Sequence, residues 1–276
     1  MDPSGERIDV IEGFGEEWTR FDQTGLTEDE RIAAFDAYFE VFPWDDLPAE
    51  ADGFDLGCGS GRWAALVAPR VGTLHCVDPS DAIDVARRNL SHLTNVRFHR
   101  RTAADLPFEP HSMDFGYTLG VLHHIADTKG ALRKAVEALK PGAPLLVYLY
   151  YAFDNRPGWF RALWRTSDAA RRVIARQPSA LRQLACDGLA GAVYFPLARA
   201  AAVAERIGAD VSNWPLSTYR HRSFYAMRTD ALDRFGTRLE KRYTRAEMEE
   251  LLREAGLTDI RFCSSVFWCA VGRRAW

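Results

Sequence analysis

The stretch Asp55-Leu-Gly-Cys-Gly-Ser-Gly-Arg-Trp63 constrains this chain more than any other, because Gly57, Gly59 and Gly61 fall between an apolar run ending at Leu56 and a segment of helical character. Glycines here let the backbone turn sharply and come close to a ligand, and the free N–H groups at a helix start favour an anionic group such as a carboxylate. The order G-x-G-x-G after an acidic residue differs from the G-x-G-x-x-G of dinucleotide sites. An adenosine cofactor with a carboxylate tail fits such a loop; a glycine-rich turn with no ligand is the alternative.

A second acidic residue separates these readings. Thr73-Leu-His-Cys-Val-Asp78 reads as a strand ending in a carboxylate, and a helical run follows from Ala82 to Leu90. In a parallel sheet, Asp78 then lies at the same C-terminal edge as the glycines, where it can accept both hydroxyls of a ribose. Asn95-Val-Arg-Phe-His99 reads as a third strand, and Asp105 in the next loop is placed to pair with an adenine amino group.

With these residues in order, the chain resembles the class I S-adenosylmethionine (SAM)-dependent methyltransferases, in particular those that methylate small molecules. The resemblance runs through Asp55–Trp63, Asp78, Ala104–Phe108, Ser112–His124 and Leu139–Val147, and resumes at Tyr243–Gly256. It implies an α/β fold: a Rossmann-like, seven-stranded, mostly parallel sheet with helices on both faces and an α-helical cap inserted after the fifth strand. The expected organisation is an N-terminal helical segment (1–47), a SAM-binding core (48–150), a helical substrate cap (151–240), and the last helix and two strands (241–276). SAM is expected across the C-terminal edge of the sheet, with S-adenosylhomocysteine as product and no metal. Asp55 and the three glycines would shape the methionine side, Asp78 with Pro79 would hold the ribose, and Ala104, Asp105 and Leu106 would face the adenine. Leu119 and Gly120 end the fourth strand against the cofactor. Arg62 would bind the carboxylate of SAM or of the acceptor.

Upstream, Thr27-Glu-Asp-Glu30 has the spacing of a capping box, and Ile32, Phe35, Phe39 and Phe42 then share one helical face. In related methyltransferases such an N-terminal segment covers SAM, so Trp18 and Phe21 are expected to close over the cofactor; simple core packing is the competing reading. Trp18 offers the sulfonium an aromatic face and the carboxylate an indole N–H.

Between Tyr151 and Glu240 the core pattern stops. This interval carries 14 arginines and 8 acidic residues, a formal charge of +6 that leaves the rest of the chain near −9. Breakers at Pro157, Pro178, Gly188, Pro196 and Pro215 divide it into several helices. An insertion after the fifth strand covers the acceptor pocket in related enzymes, so the charge suggests an anionic or phosphorylated acceptor, against the alternative of a solvated helical face. Tyr219, Arg220, His221, Arg222 and Tyr225 form a polar, aromatic and cationic cluster suited to a ring bearing negative charge. Tyr151 is a further acceptor contact, since Tyr150 and Tyr151 end the fifth strand and alternation allows only one to face the acceptor.

A sulfonium methyl is already electrophilic, so transfer needs an acceptor atom held in line behind it with water excluded. Oxygen, or less readily nitrogen, must also release a proton. His123 and His124 follow the fourth strand and are the candidates for that chemistry: His123 as general base and His124 as a loop brace, unless both simply pack. An enzyme with nonmethylating SAM chemistry, or a regulatory SAM-fold protein, is the alternative function.

Composition agrees with this class. A length of 276 residues and 47% hydrophobic content support a large core, and a net charge of −3 gives no general reason to expect nucleic acid. The first residues show no signal peptide, no apolar run is long enough to cross a bilayer, and the five cysteines form no C-x-x-C pair. These features point to a cytoplasmic protein with reduced thiols and a small-molecule partner, without membrane or nucleic acid; oligomeric state is left open.

Overall fold

The computed structural model describes residues 8–23, 25–265 and 267–276. Seven strands form one sheet: β1 (Asp52–Leu56), β2 (Thr73–Val77), β3 (Val96–His99), β4 (Phe115–Leu119), β5 (Pro144–Tyr148), β6 (Leu257–Phe262) and β7 (Cys269–Arg274). Their order is β3-β2-β1-β4-β5-β7-β6; the first five run parallel, and β7 is antiparallel to both neighbours. Chain order reverses between β1 and β4, which opens a crevice at the C-terminal ends of those two strands.

The centre of the sheet is locked by a reciprocal fit. Gly53 is registered with Phe115, and Phe54 with Gly116. A Cβ on Gly53 would stand 2.1 Å from the Phe115 ring, and one on Gly116 would stand 2.3 Å from the Phe54 ring. Each ring therefore lies over the glycine of the neighbouring strand, covering backbone that a side chain would otherwise shield.

The parallel strands need crossovers, supplied by α3 (Ala64–Val67), α4 (Ala82–Asn89) and α5 (Thr128–Ala138). In α4, Ile83, Val85 and Ala86 are buried while Arg87 and Arg88 stay in the last turn, on the side favoured by the helix dipole. The Asp127 side chain caps α5 by accepting from the Gly130 N–H at 2.9 Å.

Two compact units emerge: residues 8–23, 31–152 and 239–276 with the sheet, and residues 25–30 with 153–238. The sheet unit holds α1 (Ile8–Arg20), most of α2 (Glu28–Phe39), and the final helix, which opens on a Thr244–Glu247 capping box. The Thr27–Glu30 capping box also forms, through mutual side-chain and backbone bonds of 3.2–3.3 Å. The expected apolar face of α2 needs correction. Phe35 and Phe39 are buried and stack at 4.3 Å, and Phe42 joins them from beyond the helix end, but Ile32 is exposed. Aromatic packing with Trp44 satisfies the face without it.

The second unit is helical: α6 (Gly158–Ile174), α7 (Ser179–Leu189), α8 (Phe195–Arg206) and α9 (Phe224–Gly236), followed in the sheet unit by α10 (Arg245–Glu254). Pro157 and Pro178 stand just before α6 and α7, as expected of breakers. Gly188 and Pro196 do not break the chain, because a π-turn at Ala190–Tyr194 carries α7 directly into α8. Pro196 sits at the start of α8, where the wider turn accommodates a residue lacking an N–H. Ala190, Tyr194, Ala198, Tyr219, Met227 and Ala231 form this unit's core. Residues 25–30 join it because the Ser223 N–H donates to Glu30 Oε1 at 2.5 Å and Gly25 lies against the Tyr225 ring. No helix among the described residues is long and apolar enough to cross a membrane.

Candidate cofactor and active site

The glycine loop leaves β1 at the crevice and is shaped by three positive-φ turns at Gly57, Gly59 and Gly61. The first is also sterically required: a Cβ on Gly57 would lie 2.3 Å from the Val121 side chain. The loop is pinned to β2 by the N–H groups of Gly57 and Cys58, which both donate to Val77 O at 2.7 and 3.1 Å. Asn89, whose role the sequence did not announce, donates from its amide to Ser60 O at 2.9 Å and to Asp22 O at 3.0 Å.

Asp78 holds the loop from the side. Its Oδ2 accepts from the Gly59 N–H at 3.0 Å, while Oδ1 accepts from the Ser80 N–H and hydroxyl at 2.9 and 2.6 Å. Burial pushes its carboxyl above the usual range, and the Ser80 and Gly59 bonds oppose that shift. A carboxylate has about four acceptor positions, so capacity remains for a ligand hydroxyl. Ser80 was missed as a site residue; its signal is the turn-forming Asp-x-Ser spacing.

Asp55 ends β1 with its side chain fully buried. Desolvation pushes its carboxyl up to about 8; the Tyr117 hydroxyl nearby opposes the rise, Asp78 adds to it, and Arg62 opposes it. Its Oδ2 has no hydrogen-bond partner within strict geometry, and neither does the buried Ser60 hydroxyl in the same loop. Such orphaned groups are rare and costly in a packed interior.

Trp18 lies over the loop: a Cβ on Gly59 would be 3.1 Å from its indole. Arg62 runs between aromatic faces, 5.6 Å from the Trp18 ring and 4.3 Å from Trp63. Phe21, the second expected cover, is buried in the core. Pro79 is half-buried beside Asp78, and Leu119 and Gly120 end β4 at the same edge. Ala104 and Asp105 are exposed in the loop after β3, Leu106 is half-buried, and Asp105 pairs with Arg101 at 3.1 Å.

The two histidines sit in different surroundings. His124 braces the chain through Nδ1, which donates to Leu239 O at 2.6 Å. His123 is fully buried, with neither ring nitrogen hydrogen-bonded, and stacks on Tyr150 at 3.9 Å between centroids. Desolvation, then His124 and Arg242, holds it well below the ordinary histidine range. The tyrosine beside the histidines is thus Tyr150; Tyr151 instead meets the Trp268 ring at 6.5 Å.

In the helical unit, the expected acceptor cluster is largely internally satisfied. Arg220 gives Nε and Nη2 to Glu205 Oε1 at 2.9 and 2.8 Å and Nη1 to Ser217 O at 3.0 Å. His221 Nε2 meets Glu205 Oε2 at 2.7 Å, and together they hold the Glu205 carboxyl down at about 2. Tyr219 is buried in the core cluster, and the Arg222 carbonyl accepts from Arg199 at 3.0 Å. Tyr225 packs against Gly25.

Residues 54–147 match the Methyltransferase domain family. That segment runs from within β1 to within β5 and includes the glycine loop and Asp78. The chain is 33% identical over 144 residues to the 2-phytyl-1,4-naphtoquinone methyltransferase of Thermosynechococcus vestitus, covering 49% of this chain and 64% of that protein. It is 31% identical over 100 residues to phosphoethanolamine N-methyltransferase 2 of Caenorhabditis elegans, covering 35% of this chain and 23% of the relative. It therefore spans less than two thirds of either relative. The fold is similar to the apo SAM-dependent methyltransferase SibL, with TM-score 0.54 and 17% identity over 90% of this chain and 56% of that one. It is also similar to a chain from a complex between the Haloferax volcanii Trm112 methyltransferase activator and a methyltransferase, with TM-score 0.53 and 15% identity over 97% and 100% of the two chains.

The residues gathered at this edge fit SAM. The unpartnered Asp55 oxygen and Ser60 hydroxyl are suited to the polar methionine end of the cofactor, and the glycine loop admits close backbone approach. Among the described residues, no group of three or more histidine, cysteine or acidic side chains is arranged to hold a metal ion.

Proposed function

We propose that this chain is a class I SAM-dependent methyltransferase that moves the SAM methyl group to an oxygen, with nitrogen as the second choice, of a small acceptor that carries negative charge. The observation that carries the cofactor part is the fully buried Asp55 carboxyl, whose Oδ2 lacks a partner, beside the glycine loop that Asp78 holds at the same edge of the sheet. A cationic ligand group brought there would draw the carboxyl into its ionised form and satisfy it. SAM supplies the electrophilic methyl; the chain's part is to bind, orient and exclude water.

In this reading Asp78 holds the ribose, Ala104, Asp105 and Leu106 face the adenine, and Trp18 covers the sulfonium side. His123 is neutral at pH 7, so one ring nitrogen can accept the acceptor's proton; its depressed basicity, beside Arg242, makes it a transient relay. The 151–240 cap selects the acceptor. Its arginines support an anionic group; Arg220 already pairs with Glu205 and Ser217.

A specific observation favours a second acceptor type. Of the fifteen exposed large apolar side chains among the described residues, twelve lie between Trp159 and Phe224. Such concentration exceeds scattered surface exposure and suits an acceptor with a substantial apolar part. An assay of S-adenosylhomocysteine release with phosphorylated amines, acidic phenols and alkylated quinols decides between them. Turnover only with the charged compounds supports the first reading; turnover only with alkylated compounds supports the second. Cofactor binding without release on any acceptor favours a nonmethylating or regulatory protein.

A further inference from the structure

Cys263 follows β6 and Cys269 opens β7, the two arms of an antiparallel pair. Phe262 is registered with Ala270, so the next residues along each arm, Cys263 and Cys269, stand opposite one another. The Cys263 N–H donates to Cys269 O at 2.9 Å, which fixes that opposition. Opposed residues of an antiparallel pair have Cα atoms about 4.5–5.5 Å apart, within the range a disulfide spans. The two thiols are near enough to act on one another, each shifting the other's acidity. We propose that Cys263 and Cys269 form a peroxide-responsive dithiol that closes into a cross-strand disulfide at the cofactor-side edge of the sheet.

The two sulfurs are chemically unequal. The Cys269 thiol, assisted by Ser265 and by the Cys269 backbone against the effect of burial, brings Cys263 down to about 6, whereas burial drives Cys269 well up. Cys263 is therefore the nucleophile, and Cys269 the resolving thiol. Cys58 and Cys76 also neighbour each other, but there both thiols are raised and neither is brought down.

The Cys263 thiolate attacks one oxygen of hydrogen peroxide; the O–O bond breaks, the departing hydroxide takes a proton to become water, and the sulfur becomes a sulfenic acid. The Cys269 sulfur then attacks that sulfur, the S–O bond breaks, and the Cys269 proton leaves with the hydroxyl as a second water. Two thiols and one peroxide thus give one disulfide and two waters. The consequence reaches the site's aromatic wall. Phe267, in the connecting loop, packs on Tyr38 at 4.8 Å and on Tyr148, the last residue of β5, at 5.3 Å; Tyr38 in turn meets Trp63 at 5.2 Å. Oxidation also removes the Cys269 S–H bond to Tyr38 O at 3.3 Å.

The test treats the intact reduced protein with hydrogen peroxide and maps the product by mass spectrometry. The expected result is loss of two hydrogen atoms per chain, located in a peptide joining Cys263 to Cys269 and reversed by dithiothreitol. Cys269→Ser should halt at a sulfenic acid on Cys263 that dimedone traps, and Cys263→Ser should form neither product. Independently of any variant, alkylation of Cys263 by iodoacetamide in the wild-type protein should have its pH midpoint near 6 rather than in the ordinary thiol range. An ordinary midpoint, or oxidation that leaves Cys263 and Cys269 unlinked, overturns the proposal.

Discussion

Replacing Asp55 tests the site most directly, because its carboxyl is raised from 3.8 to about 8 by burial. At pH 7, about 90% of such a group is protonated, and ionising it costs about 1.4 kcal/mol; at pH 6 the cost is about 2.7 kcal/mol. If SAM binds only to the ionised form, its affinity should rise about fifty-fold between pH 6 and 8, and binding at pH 7 should release about 0.9 proton. Titration calorimetry in buffers of different ionisation enthalpy measures that proton directly. Asp55→Asn should abolish the release, flatten the pH dependence and weaken binding by about 1.5–3 kcal/mol through loss of a charged hydrogen bond. The sign for stability is opposite. Without cofactor, the folded state holds a proton that the unfolded chain has lost, so Asp55 makes the protein less stable as pH rises from about 4 to 8, and Asp55→Asn should remove that slope. A buffer-independent enthalpy at pH 7 together with a flat dissociation constant from pH 6 to 8 would refute the reasoning.

Asp78→Ala should weaken SAM by roughly 1.5–3 kcal/mol and loosen the Gly59 turn, checked by calorimetry and by faster amide exchange at Gly59 and Ser80. His123→Ala should lower turnover about 10²–10⁴-fold with SAM affinity nearly intact, whereas His124→Ala should chiefly lower the melting temperature through its lost bond to Leu239 O. Because His123 is depressed in the folded state, it should also withdraw stability as pH falls below the unfolded value near 6.5, a loss absent from His123→Phe in acid-dependent melting curves. Arg222→Ala should raise the acceptor's KM and blunt its salt dependence, and kinetics unchanged from wild type would remove Arg222 as an anion contact, while Arg220→Ala should lower thermal stability through its lost bonds to Glu205 and Ser217.

The sheet and cofactor loop were legible because their determinants are local. Glycines at fixed spacing after an apolar strand, and an acid closing the next strand, place Asp55, Gly57, Gly59 and Asp78 at one edge whatever packs around them. The capping box at Thr27 was likewise readable, since both partners lie within one turn. Charge state and partnership were not. Asp55 is neutral and His123 loses basicity only because distant strands and side chains exclude water from them. Arg220 looked available until the fold brought Glu205, fifteen residues away, against it. Gly188 and Pro196 read as breaks, yet a π-turn with buried Ala190 and Tyr194 carries the helix through. Cys263 and Cys269 became a pair through strand register. Local spacing determines where backbone turns and donors fall; desolvation and long-range pairing, which decide what those groups do, exist only once the chain has closed on itself.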